Sequence, residues 1–423
     1  MINRIQAPTL KEIEKINFVY PTIKKLGNDT ELVWMKEVAD ETVRIELHFN
    51  AGTIHSENKV ASITNGLLLS GTSKKNSIQI QEEINELGVF TDFETNQESS
   101  VVAIYCLREN VSDAVQLLCE AIRDCQFPED EIQDLIRERK QQYLISSEKV
   151  SFLARREFQQ KMYSNSKRYS RQLTLNEFDE ITREQIISFY SEYYLKGLRK
   201  IVVVGNLNEQ QISILIDETS AWYNTKNTDF EGNFKNETGH FHIEKEGAVQ
   251  TAIRIGMPLF NKSNKEFIDF QILQTILGDY FGSRLMSNIR EDKGYTYGIG
   301  SAILESYLAG SFIIATEVGS EFVNDTLNEI KKEIERLSNE IIPEDELNLV
   351  RNYLLGQLLK SADGPNSLTD LYLGVNMHGL NLEYYNEVIN RINTISAEEL
   401  KDLANKYLIW NKLTIITAGK INK

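Results

Sequence analysis

The feature that most constrains the fold is that the chain is written twice. Near its middle runs Leu198-Arg199-Lys200-Ile201-Val202-Val203-Val204-Gly205-Asn206-Leu207, and its end reads Lys412-Leu413-Thr414-Ile415-Ile416-Thr417-Ala418-Gly419-Lys420-Ile421. Aligning the glycines, 205 with 419, gives an offset of 214 residues. Ile181-Thr182-Arg183-Glu184-Gln185 faces Ile395-Ser396-Ala397-Glu398-Glu399 at the same offset. Pro128-Glu129-Asp130-Glu131 faces Pro343-Glu344-Asp345-Glu346 at 215. A period of this size is a duplicated domain, far too long for a solenoid repeat. A chain of 423 residues is also longer than one hydrophobic core usually serves.

Each half reads in the same order. Thr42 to Phe49 alternates Val43, Ile45, Leu47 and Phe49 on one face, the pattern of a half-buried strand, and Val249 to Leu259 is its counterpart. A long helix follows, marked by Val60, Ile63, Leu67 and Leu68, or by Phe267, Phe270, Leu273, Leu277 and Phe281. Next come a β-rich stretch, Val101 to Leu107 or Phe312 to Val318, and two helices. The second of these opens on Pro-Glu-Asp-Glu. Proline suits a first helical turn, where its missing N–H had no partner, and the acids favour the positive helix end. A final helix and strand close the unit. Without strict βαβ alternation, the expected class is α+β: two homologous sandwich domains, each a mainly antiparallel sheet with helices on one face. The expected boundaries are 1–223, a polar linker at 224–239, and 240–423.

The formal charge is −16, from 46 Lys and Arg against 62 Asp and Glu. Nucleic acid and anionic membranes are therefore poor partners, while a basic peptide is compatible; plain solubility explains the acid excess equally well. No secretory signal is evident at Met1 to Glu12, and no apolar run reaches membrane-spanning length. Cys106, Cys119 and Cys125 lack paired metal spacing, which favours a reducing compartment, with the cytoplasm as the expected location.

Two segments carry the functional argument. The first is Ser62-Ile63-Thr64-Asn65-Gly66, framed by Phe49-Asn50-Ala51-Gly52-Thr53 before it and Leu69-Ser70-Gly71-Thr72 after it. The second runs Gly282-Ser283-Arg284-Leu285-Met286-Ser287-Asn288-Ile289-Arg290 and on through Glu291-Asp292-Lys293-Gly294-Tyr295-Thr296-Tyr297. Gly294 suits a left-handed helix end, and Tyr295, Tyr297 and Ile299 then alternate as in a strand. Arg290 and Tyr297 together offer a fixed cation and a phenol donor, suited to an amide carbonyl or the oxyanion formed from it. Among the five histidines, His240 and His242 sit at strand spacing and His48, His55 and His378 have no motif around them; an exposed strand end is the plainer reading of the pair.

Over nearly its whole length the chain resembles the insulinase/pitrilysin-like zinc metallopeptidases, in particular the small branch of two-subunit and processing peptidases. In that family the first segment reads His-x-x-Glu-His on a helix, two imidazoles on one face with a base for the attacking water. The resemblance places Ser62 and Gly66 at the histidine positions, Asn65 at the glutamate, and Gln142 at the remaining ligand. None of these groups replaces the original, so no metal is expected on this chain. The second segment resembles the family's arginine–tyrosine element, with Arg290 and Tyr297 seven positions apart, which assists substrate binding across the cleft from zinc.

The resemblance therefore implies a non-zinc subunit. It would pair with a homologous zinc-bearing subunit that supplies the metal and general base, and Arg290 and Tyr297 would contact the peptide substrate. A catalytically inactive scaffold or peptide-binding protein, self-associating as a homodimer, is the alternative. No nucleophile–base pair or phosphate loop points to an independent enzyme.

Overall fold

The computed structural model describes residues 13–36, 38–56, 59–224, 234–308 and 310–421. Six strands come from the first half: β1 Thr22–Lys25, β2 Glu31–Met35, β3 Thr42–Phe49, β4 Phe90–Thr95, β5 Ser100–Leu107 and β6 Leu198–Val204. They form one sheet in the order β1-β2-β6-β3-β5-β4. The second half contributes β7 Gly239–Glu244, β8 Gln250–Leu259, β9 Thr296–Glu305, β10 Gly310–Gly319 and β11 Thr414–Gly419. Their order is β7-β11-β8-β10-β9. Without the added β1, the sheets share one topology. In both, the outer pair (β2–β6, β7–β11) is parallel and the other pairings are antiparallel. Most of the expected linker, residues 225–233, lies outside the described residues.

The paired glycines have a steric cause. Gly419 has φ +142°, and a Cβ there would lie 2.7 Å from the Gln250 carbonyl oxygen; a Cβ on Gly205 would lie 2.8 Å from Val43 Cγ2. Each strand thus ends against its neighbour where no side chain fits. The Pro-Glu-Asp-Glu elements open helices Glu129–Ser147 and Glu344–Ser361, but Pro128 and Pro343 occupy the cap position, one residue earlier than expected, with extended backbone.

The expected helical layer lies on one face of each sheet. In the first half Val43, Ile45, Leu47 and Phe49 pack into a core with residues of helices Val111–Arg123 and Arg183–Tyr193. The other face of each sheet receives a helix from the opposite half. Helix Val150–Met162 sets Ala154, Phe158 and Met162 against Ala252, Ile416 and Ala418 of the second sheet. Reciprocally, helix Pro365–Asn376 packs on the first sheet, where Leu368, Tyr372 and Val375 share a cluster with Val33, Met35, Val202 and Val204. Arg44 on β3 bonds Asp370 at 2.6 Å, and Lys200 on β6 bonds Asn376. These two helices are also 215 residues apart, so the duplication includes an exchange. Glu98, in the β4–β5 turn, adds a polar tie: it accepts from Tyr169 Oη at 2.6 Å and from the backbone N–H groups of Tyr307 and Leu308 at 2.7 and 3.1 Å.

Two sequence expectations change in detail. The helix carrying Ser62 is short, Val60–Gly66, and Leu67 and Leu68 pack from the turn that follows. Its counterpart ends as Phe267–Gln274 plus a wider turn, Thr275–Asp279, leaving Phe281 outside any helix and 62% exposed.

Candidate functional site

Around Ser62 to Gly66 the residues now do structural work. Ser62 Oγ donates to the Lys59 carbonyl at 3.1 Å. Asn65 is 2% exposed; its amide donates to the Glu94 carbonyl on edge strand β4 at 2.9 Å and accepts from Tyr194 Oη at 2.9 Å. A carboxylate, having no donor, could not make the first of these bonds. Gly66 is closely covered: a Cβ there would lie 3.1 Å from Leu135 Cδ2 and 4.0 Å from Arg139 Nη2. Gln142 is an exposed residue on the Glu129–Ser147 helix, where it accepts from Arg139 Nη1 at 3.0 Å and donates to Glu138 at 2.7 Å. A guanidinium therefore spans from Gly66 to Gln142, the positions that the resemblance assigned to metal ligands.

The surroundings extend that positive charge. The amine of Lys59 is held below its usual pKa by burial and then by Arg139, Arg155 and Arg156. Arg254, on β8, is lowered by burial and by Arg155, against the pull of Glu317. This donor set does not fit zinc: serine, glycine and amides offer no imidazole or carboxylate, and cations repel the metal. Among the described residues, no three His, Cys, Asp or Glu side chains gather as a metal site. His240 and His242 share a partner, the Thr417 hydroxyl, at 2.8 and 3.0 Å.

Sequence reasoning missed Lys59, Arg139, Arg155 and Arg254. They come from two helices, the cap before a third (Lys59) and a strand, in a chain whose net charge is acidic. Their only sequence signal was the adjacent pair Arg155-Arg156 on an otherwise unremarked helix.

The second segment forms a distinct constellation. Gly294, φ +67°, ends the irregular helix Met286–Asp292, and the chain turns into β9. Arg290 Nε donates to the Tyr297 carbonyl at 3.0 Å, and its guanidinium stacks over the Phe281 ring with the centroid 4.8 Å away. Simple alternation put Tyr297 and Ile299 on one face. Instead the register shifts, Thr296 pairing with Val318 and Ile299 with Thr316, so two β9 residues bulge opposite one of β10. Ile299 enters the core and Tyr297 is 93% exposed, while Tyr295 precedes the strand and stacks on Phe322 at 4.7 Å. A bulge re-aims a side chain, and here it turns the phenol out.

β9 is the edge of its sheet. The register aligns Gly300 with Ala315 and Ala315 with Arg254 across the face that also receives helix Val150–Met162. Between that helix and the edge lies a groove of about 620 Å³, with Phe158, Met162, Leu304 and Ile313 among its walls and Arg155 and Arg254 facing into it.

Residues 32–173 match the model of the insulinase family, peptidase family M16, and residues 180–354 match that of the peptidase M16 inactive domain. The chain is 24% identical over 405 residues to an uncharacterized zinc protease of Rickettsia felis, covering 93% of this chain and 95% of the relative. It is 21% identical to a protein of Helicobacter pylori named non-peptidase homolog YmxG, covering 90% and 89%. It is 20% identical to the mitochondrial-processing peptidase subunit beta of Neurospora crassa, covering 86% and 80%. Among solved structures, a peptidase M16 inactive domain from Pseudomonas fluorescens matches at TM-score 0.86 and 21% identity, over 96% of this chain and 99% of the other. That last similarity concerns the fold.

Proposed function

The chain belongs to the insulinase family of peptidases, M16, and from that premise we propose that it is a non-zinc subunit of a two-chain metallopeptidase. It holds peptide substrate, while a homologous partner carries zinc and the general base. The two halves, 1–223 and 240–423, act as one duplicated peptidase-like frame joined through 224–239.

The observation that carries this reading is Tyr297. A phenol turned out to solvent by a bulge, with its backbone held by Arg290, contributes nothing to packing. In this reading it donates to a substrate carbonyl or to the developing oxyanion, and the guanidinium of Arg290 adds positive charge. A subunit name among the relatives supports a two-chain assembly.

The test uses this chain, the zinc-bearing homologue from the same cell, and a fluorogenic peptide. Neither chain alone should turn over at the rate of the mixture. Tyr297→Phe should slow the mixture about a hundredfold, the usual effect of removing one oxyanion donor, and Arg290→Ala should slow it as well. If the mixture is no faster than the partner alone, the subunit reading is wrong. The scaffold reading would then stand, favoured by the relative named a non-peptidase homolog.

A further inference from the structure

The groove beside β9 is cationic in a protein of formal charge −16. Arg155 enters it from helix Val150–Met162 and Arg254 from β8. Lys59 and Arg139 extend the positive region toward helix Val60–Gly66, close enough to Arg155 for their charges to be felt together. Among the described residues, Arg139 is held by Gln142 and Arg155 by the face of Phe152, 5.6 Å to the centroid. Neither partner is a carboxylate. The acids nearby are already engaged: Glu317 draws Arg254, Glu305 at the rim is paired with Lys262, Glu98 accepts from Tyr169 and the Tyr307 and Leu308 amides, and Glu138 accepts from Gln142.

The screening length at physiological ionic strength is about 8 Å, so the acidic outer surface has little reach into such a groove and local cations set the potential there. Its other walls are apolar and it runs along a sheet edge, features that fit an extended chain pairing through its backbone. Backbone pairing at a sheet edge and a largely aliphatic wall suit a peptide better than a phosphodiester polymer, which is held instead by stacked aromatic faces along a basic track. We propose that this groove selects extended peptides carrying acidic side chains, seating a carboxylate between Arg155 and Arg254 with apolar side chains along Phe158, Met162 and Ile313. The proposal rests on the peptide-holding role given above and specifies its substrate class.

The test is fluorescence anisotropy with the purified full chain and three short labelled peptides, identical leucine- and alanine-rich sequences with two central glutamates, glutamines or lysines. The glutamate peptide should bind about tenfold more tightly than the glutamine one at low salt, a gap of roughly 1.4 kcal/mol, and the gap should narrow as salt rises. Arg155→Glu should reverse the order in favour of the lysine peptide, a gain that misfolding cannot produce. Arg254→Gln should weaken only the glutamate peptide. Equal binding of all three peptides would overturn acid selectivity while leaving the peptide-holding role intact. Binding of none would overturn both.

Discussion

Asn65→Asp exchanges one nitrogen for oxygen at a buried position, and the structure predicts that it makes stability depend on pH. The amide donates to the Glu94 carbonyl and accepts from Tyr194, both at 2.9 Å, in a residue only 2% exposed. Aspartate keeps the Tyr194 bond. Its carboxylate then meets the Glu94 carbonyl oxygen to oxygen, losing a buried hydrogen bond worth about 1–3 kcal/mol. Burying the charge adds several kcal/mol more. The acid answers by holding its proton, so its folded pKa rises above the roughly 3.9 of unfolded aspartate. With the folded pKa raised, the variant is near wild type below about pH 4, where the protonated acid can donate to Glu94. Between that pH and the folded pKa it loses about 1.4 kcal/mol per pH unit. The deficit at pH 7 should reach about 3–4 kcal/mol, the scale of an uncompensated buried charge. Urea unfolding of both proteins from pH 4 to 8 reads this directly through Trp222, fully buried against Phe49 in the same core at 5.9 Å. A deficit that stays constant with pH, or stays under about 1 kcal/mol at pH 7, would refute the bonding assigned to Asn65.

Gly66→His should cost about 1–3 kcal/mol by overpacking against Leu135, and added zinc should not restore the melting temperature; zinc-dependent recovery would contradict the crowding described. Glu98→Ala removes the acceptor for two backbone amides, so hydrogen exchange at Tyr307 and Leu308 should accelerate at least tenfold, the equivalent of about 1.5 kcal/mol, with β8 and β11 unchanged. His55 has its pKa lowered to about 4 by burial and then by Arg168. Because the depressed imidazole stays neutral, its contribution is present above the unfolded value near 6.5 and is lost as pH falls toward 4. After discounting for partial exposure that is about 2–3 kcal/mol, and in urea melts His55→Gln should flatten the wild-type decline over that window.

What the sequence disclosed was local or repeated. The strand Thr42–Phe49 was legible because four alternating apolar residues all serve one core, and the order of the elements named was legible because it occurs twice; strand β2 and the exchanged helices Val150–Met162 and Pro365–Asn376 were not read. The loss of metal donors at Ser62, Asn65 and Gly66 could be read from residue type alone. The outward turn of Tyr297 could not, because a bulge depends on the register of β10, not on the β9 sequence. The phase of the helical pattern ran on to Phe281, yet that ring serves a different purpose, as the surface on which Arg290 rests. Bulk charge left room for basic ligands and was equally well explained by solubility, whereas the groove is lined by arginines brought together from distant parts of the chain. Averages over a surface say little about a cleft.

The reciprocal placement of helices Val150–Met162 and Pro365–Asn376 bears on ancestry. A lone copy of the repeat would have an uncovered apolar strip on its sheet and a helix with nowhere to dock. Two identical chains cure both defects at once through a twofold axis. The single-copy forerunner is therefore best pictured as a domain-swapped pair. Gene fusion then freed each half to diverge in sequence, one now carrying Ser62, Asn65 and Gly66 and the other Arg290 and Tyr297.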